Sequence, residues 1–69
     1  MFNRITWVDQ LHAEVQRVSE LLPLYDAAPA LALFASAARK SLERAGMAAI
    51  RGDFAAIREA YEELQDYSA

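Results

Sequence analysis

The chain of 69 residues contains no cysteine, two glycines, two prolines and one histidine. Without cysteine it can form neither a disulfide framework nor a zinc–thiolate site, which are the usual supports of a very small domain. The hydrophobic core of a domain this size supplies only about 3–5 kcal/mol. We therefore expect self-association, as a homodimer, to add stability.

Long apolar runs and an export signal are also missing. The least charged stretch, residues 21–38, is interrupted by Pro23, Asp26 and Pro29, and what remains of it is too short to cross a bilayer. The first ten residues lack the basic and then apolar segment of a signal peptide. We expect a cytoplasmic protein that does not bind membranes.

Basic residues are outnumbered by acidic ones, seven to ten, which gives a net charge of −3. This balance opposes attraction to phosphate backbones, so we expect no nucleic-acid partner. The charges are also unevenly distributed. Residues 39–58 hold five basic and two acidic side chains, whereas residues 59–69 hold four acidic side chains and no basic one.

A first helix is predicted over about residues 6–22. Thr6 and Asp9 fit a capping box at its start, and Pro23 is expected to end it. Its apolar residues recur at spacings of three and four, which is the pattern of one helix face. They are Val8, Leu11, Val15, Val18 and Leu22.

A second, alanine-rich helix is predicted over residues 28–51, with Asp26 as a possible cap and Pro29 in its first turn. One stripe of apolar residues would face the core: Leu31, Ala35, Ala38, Leu42, Ala45 and Ala49. A further apolar set lies partly outside this stripe, so the helix needs a second partner. We expect this set to form the homodimer interface: Ala30, Leu33, Phe34 and Ala37.

The stretch IRGDF contains the tripeptide RGD, which is typical of adhesive loops in exported proteins. Gly52 suits the position just past a helix, and Asp53 is a strong N-cap, so the stretch is better interpreted as a stop signal followed by a start signal. A third helix over residues 53–67 would use the stripe Phe54, Ile57, Tyr61 and Leu64. The sequence thus predicts one all-α domain, residues 1–69, with three helices, a helical hairpin and a dimeric bundle.

Part of the hairpin resembles a known family. The run GDFAAIREAYEEL is similar to the second helix of a tetratricopeptide repeat, which opens with glycine, an acidic residue and an aromatic residue. Gly52, Asp53, Phe54, Ala60 and Tyr61 match that pattern, and Ala45 falls where the repeat has a small residue. The resemblance, over about residues 42–64, implies a helix pair of that geometry and an affinity for protein segments.

Residues for catalysis or cofactor binding are not evident. His12 could share a helix face with Asp9 and Gln16, but two such ligands do not make a metal site. The serines lack the context of an activated nucleophile. We expect no enzyme, no cofactor and no metal.

Acidic residues at the end of the third helix oppose its dipole. Across an antiparallel hairpin, Glu62, Glu63 and Asp66 would lie beside Arg39, Lys40 and Arg44. The alternative is that they meet a basic surface of a partner, with aromatic residues as anchors. The partner-binding residues predicted on this basis are Glu59, Glu62, Glu63, Asp66, Tyr67 and Trp7.

Taken together, these features are typical of a small bacterial or phage protein that acts by binding. The sequence favours a non-enzymatic interaction module that inhibits or regulates a larger protein through its helical surfaces. The alternative is a chaperone-like or structural assembly subunit that shields a helix of its partner.

Overall fold

A computed structural model describes residues 6–68 of the chain. It contains three helices, α1 (Trp7–Ala27), α2 (Ala32–Arg51) and α3 (Phe54–Leu64), and a 3-10 turn, Pro29–Leu31. Each helix packs against the other two, and this part of the chain has no β-strand. The predicted all-α, three-helix class is confirmed, while residues 1–5 and 69 of the predicted domain lie outside the described residues.

The start of α1 is the predicted capping box. The Thr6 hydroxyl accepts a hydrogen bond from the Asp9 backbone N–H at 3.1 Å, and the Asp9 carboxylate accepts one from the Thr6 N–H at 3.3 Å. Two backbone donors that the helix leaves without partners are satisfied in this way.

The end of α1 differs from the prediction that Pro23 stops the helix. Pro23 lies inside α1, which continues to Ala27. Proline disfavours this geometry, but contacts beyond it hold the last turn in place. Tyr25 is 5% exposed, and Asp26 forms an ion pair with Arg39 at 2.6 Å. The prediction that Asp26 caps the second helix is therefore also wrong.

The second helix begins later than predicted. Pro29 opens the 3-10 turn rather than an α-helix, and α2 starts at Ala32 instead of residue 28. Pro29 does occupy a first turn, where its missing N–H costs little. Ala28, which precedes the turn, offers no side chain that could cap a longer helix.

The hairpin between α2 and α3 is the predicted stop-and-start signal. Gly52 has a left-handed backbone, with φ 67°, and its N–H donates to the Ala48 carbonyl at 3.0 Å. The Asp53 carboxylate accepts hydrogen bonds from the backbone N–H groups of Ala55 and Ala56, at 3.1 and 3.3 Å. Both predicted roles are confirmed.

The core is built around small side chains of α2. The buried residues are Leu11, Val18 and Tyr25 of α1, Ala35, Ala38, Ser41, Ala45 and Ala48 of α2, and Ile57, Ala60 and Leu64 of α3. Because alanine and serine project little, α1 and α3 can approach α2 closely. The predicted stripe of α3 is wrong at its first position: Phe54 opens the helix beside the turn and is 70% exposed, and Ala60 is buried instead.

Large apolar side chains of α2 face outward. Leu33 is 85% exposed, Ile50 81%, Phe34 55% and Met47 49%. The fully buried positions of α2 thus hold small residues while most of its large apolar residues are outside, although Leu42 packs partly against the core.

The two glycines provide a test of the backbone geometry. Gly46 lies inside α2 with nothing within 4 Å of an added Cβ, so Gly46→Ala should stabilise the fold by about 0.5–1 kcal/mol. Gly52 has the same free space but a positive φ, so Gly52→Ala should destabilise it by about 1–2 kcal/mol. Urea denaturation followed by circular dichroism measures both changes. If both variants changed the free energy of unfolding in the same direction, the left-handed assignment at Gly52 would be contradicted.

A pair of leucines tests the division between core and surface. Leu11 is fully buried, so Leu11→Ala should cost about 2–5 kcal/mol, which is enough to unfold much of so small a domain. Leu33→Ala removes the same atoms from a side chain that is 85% exposed and should change the free energy of unfolding by less than about 0.5 kcal/mol. Similar losses in both variants, measured by urea denaturation of dilute protein, would contradict the described packing.

Candidate protein-binding surface

Helix α3 ends earlier than predicted, and a side chain of α1 binds the backbone at and just beyond its end. The helix stops at Leu64 rather than at residue 67. The Arg17 guanidinium donates to the Leu64 carbonyl at 2.9 Å and to the Tyr67 carbonyl at 2.8 Å. The Leu64 carbonyl also accepts from the Tyr67 backbone N–H at 3.2 Å, and Tyr67 lies just beyond the helix. Arg17 therefore adds a donor from elsewhere in the chain to the C-terminal end of α3.

Arg17 also offsets the unfavourable charges at the end of α3. The helix has no basic residue in its last turn, and its dipole favours a cation there. Glu14 accepts a hydrogen bond from the guanidinium at 2.9 Å, which raises the pKa of Arg17 and fixes its orientation. The lack of a basic residue in the last turn was the sequence signal for a cap from outside the helix, but it did not identify Arg17.

Two tyrosines hold the C-terminal segment, residues 65–68, against α1 and α2. The Tyr25 hydroxyl donates to the Ser68 carbonyl at 2.6 Å. The Tyr67 hydroxyl lies 3.0 Å from the hydroxyl of Ser41, which is 1% exposed. Across residues 6–68 no buried side-chain nitrogen or oxygen lacks a hydrogen-bond partner, so the segment is an integral part of the fold.

A cavity of about 330 Å³ lies where this segment meets the start of α2. Its lining residues are Tyr25, Leu31, Phe34, Asp66, Tyr67 and Ser68. We call these residues the end surface. The Phe34 ring lies against Tyr25, with 6.2 Å between the ring centroids, and remains 55% exposed.

The end surface combines residues that the sequence assigned to two separate roles. Phe34 was predicted in the dimer interface, and Asp66 and Tyr67 were predicted to bind a partner. Asp66 is exposed, while Tyr67 is half-buried with its hydroxyl engaged by Ser41. The structure thus supplies a mixed apolar and acidic surface that neither prediction contained.

The remaining predicted dimer residues lie near this surface on the first turns of α2 and just before it. Ala30, Leu33 and Ala37 are exposed. Nothing within residues 6–68 covers them, which is what self-association through them would require. Their role in a dimer stays a prediction.

The other predicted acidic residues lie along α3. Glu63 forms an ion pair with Arg44, which raises the pKa of Arg44 and confirms that the end of α3 lies beside the middle of α2. Glu62 lies 3.5 Å from Arg58 on its own helix. The prediction that Arg39 lies beside this acidic stretch is wrong, because Arg39 pairs with Asp26 and lowers the pKa of that carboxyl.

Glu59 and Trp7 do not belong to the end surface. Glu59 is exposed and lines a groove between α2 and α3. Trp7 opens α1 and packs edge-on against Tyr61, with 5.4 Å between ring centroids and 71° between ring planes. Trp7 is 38% exposed, so its principal contact is within the chain.

The described part of the chain has neither a cluster of metal ligands nor a membrane-spanning helix. His12 is exposed, and no group of three or more histidine, aspartate or glutamate residues within residues 6–68 could hold a metal ion. In the same range no helix has the length and apolar character needed to cross a bilayer.

Comparisons with protein-family models, with curated proteins and with solved structures find no match. The resemblance to a tetratricopeptide helix pair therefore stays a prediction, and the candidate surface is interpreted from its own contacts.

Removing the Arg17 cap should loosen the C-terminal segment. Arg17→Met keeps an apolar stem but removes the guanidinium donor from the carbonyls of Tyr67 and Leu64, of which Leu64 keeps the bond from the Tyr67 N–H, and it should cost about 1–2 kcal/mol of unfolding free energy. The amides of residues 65–67 should exchange faster with deuterium. Arg58→Met is the matched control, because Arg58 makes one exposed ion pair, and it should cost less than about 0.5 kcal/mol. Equal effects of the two variants would contradict the capping role.

Proposed function

We propose that this chain is a small non-enzymatic, homodimeric interaction protein of the cytoplasm that inhibits or regulates a larger protein by binding it through the end surface. The observation that carries the proposal is the exposure of Phe34 in the lining of a 330 Å³ cavity that Asp66 also lines.

Exposed apolar groups on this scale favour binding. A domain with a small core gains most from burying its largest side chains, yet Leu33 is 85% exposed while alanines fill the inner face of α2. Contiguous apolar surface with a polar rim is typical of protein-interaction sites. Partner binding would bury the apolar area that the fold leaves in water.

The lining of the end surface indicates the chemistry of the partner. Phe34 and Leu31 offer apolar walls, and the cavity is of a size that accepts one apolar side chain. The Asp66 carboxylate at its edge favours a lysine or arginine of the partner. We expect an apolar anchor flanked by a basic residue, presented by a protein rather than by a small metabolite.

One feature favours the alternative of a helix-shielding subunit. Ala30, Leu33 and Ala37 are exposed at spacings of three and four, which is the pattern of a helix seam. A chaperone-like or assembly subunit could cover an amphipathic helix of its partner along this line. Such a partner would need an apolar stripe instead of a single anchor.

The proposal is tested by affinity capture from the cells of origin, with the immobilised protein and mass spectrometry. A protein retained by the wild type should be lost, or bound at least tenfold more weakly, with Phe34→Ala and with Asp66→Lys, because each removes one part of the end surface. Phe54→Ala is the matched control. It makes the same truncation at the hairpin, in a side chain that is 70% exposed, and should retain the protein.

Circular dichroism of each variant verifies that the helices persist. Capture of the same proteins at the same level by all four forms would exclude the end surface as the binding site. Loss with Phe54→Ala alone would move the site to the hairpin.

A further inference from the structure

The hairpin of α2 and α3 carries a second surface, on which the basic residues belong to α2 and most of the acidic residues belong to the turn and α3. Between α2 and α3 runs a groove of about 500 Å³, and its floor is made of the small side chains Ala48, Ala56 and Ala60. We call this groove and its walls the hairpin face. A floor of alanines lets another helix or a long side chain approach the backbone closely.

The two walls of the groove carry opposite net charge. From α2 come Arg44 and Arg51 together with Glu43, and Lys40 lies one turn before Arg44. From the turn and α3 come Asp53, Glu59 and Glu63, with no basic residue among the lining groups. Within residues 6–68 the pair Arg44–Glu63 is the ion pair formed across the groove, so Arg51 and Glu59 have no opposite charge bound to them there.

Symmetry makes this face complementary to itself. A two-fold axis parallel to the helices places α2 of one copy on α3 of the other, so each basic wall meets an acidic wall. An axis perpendicular to the helices places α2 on α2 and sets basic residues against basic residues. In either arrangement the same patch serves both copies, as in most homodimers, but only the first pairs opposite charges.

We propose that the hairpin face is the homodimer interface, with the two-fold axis parallel to α2 and α3. Rotation about this axis does not shift a residue along the hairpin, so residues that are level with each other in one copy are also level across the interface. The ion pair shows that Arg44 and Glu63 are level with each other. Two such pairs then form a ring of four alternating charges. Arg51 lies two turns from Arg44 and Glu59 lies one turn from Glu63, both toward Gly52. Arg51 of each copy therefore comes within side-chain reach of Glu59 of the other.

Met47 supplies the apolar part of this contact. It lines the groove from α2 and is 49% exposed. At its height the opposite helix presents the alanine floor, into which a flexible methionine side chain fits readily. Phe34 and Asp66 line the other cavity and not this groove, so a dimer of this kind can still use the end surface.

This inference deepens the proposed function, because it names the surface through which the chain self-associates. Its test uses charge reversal at Arg51 and Glu59. In Arg51→Glu and in Glu59→Lys, like charges meet twice in each dimer, so the dissociation constant measured by sedimentation equilibrium at low salt should rise about tenfold or more. An equimolar mixture of the two variants should associate about as tightly as the wild type, since every reversed residue then faces an opposite charge. Added salt should weaken wild-type association.

Glu20→Lys is the control for net charge, because Glu20 is exposed on α1, and it should leave the dissociation constant unchanged. Recovery in the mixture also verifies that both reversed chains are folded. A wild-type protein that stays monomeric at high concentration, or a mixture that fails to associate, would overturn the proposal. So would loss of the dimer in Leu33→Ser with no effect of the charge reversals, which would assign the interface to the start of α2. A monomeric wild type would also remove the homodimer from the proposed function, whereas failure of the charge reversals alone would leave partner capture through the end surface unaffected.

Discussion

The close packing of α1 and α3 against the alanine and serine face of α2 is the constraint on which the other features depend. Ala38 and Ala45 are fully buried, and Ser41 is 1% exposed. Side chains this small bring helix axes together and leave no room for larger ones between them. Most bulky apolar residues of α2 are therefore outside, with Leu42 partly buried against the core, and the floor of the groove beside α3 is also made of alanines. The same choice of small residues thus determines the core and exposes the surfaces proposed for binding.

Close packing also makes the tertiary hydrogen bonds possible. The Tyr67 hydroxyl reaches Ser41, and Arg17 reaches the carbonyls of Leu64 and Tyr67 from a neighbouring helix. The end of α3 thereby receives a cation that its own sequence does not supply. An acidic helix end that is unfavourable in isolation becomes acceptable once α1 is beside it, and Asp66 is left exposed as part of the end surface.

How well the sequence predicted the fold depended on whether local interactions decide each feature. The capping box at Thr6 and the turn at Gly52 and Asp53 involve groups within a few residues of one another, and both were predicted correctly. Pro23 was misjudged because buried Tyr25 keeps the following turn helical. The candidate site shows the same division. Phe34, Asp66 and Tyr67 were named from composition and spacing, but their assembly around one cavity with Tyr25 and Ser68 depends on the fold of the C-terminal segment, which no local pattern encodes.

The uneven distribution of charge along the chain brings opposite charges side by side in the hairpin. Basic residues concentrated in α2 and acidic residues in α3 lie on opposite walls of one groove because the chain reverses at Gly52. One internal pair, Arg44–Glu63, fixes the register of the two helices. Exposed pairs contribute at most about 1 kcal/mol each, so their arrangement governs orientation more than stability. In the proposed dimer, an axis parallel to the helices pairs these opposite walls, whereas a perpendicular axis sets like charges against each other, so the charges would specify the alignment with few contacts.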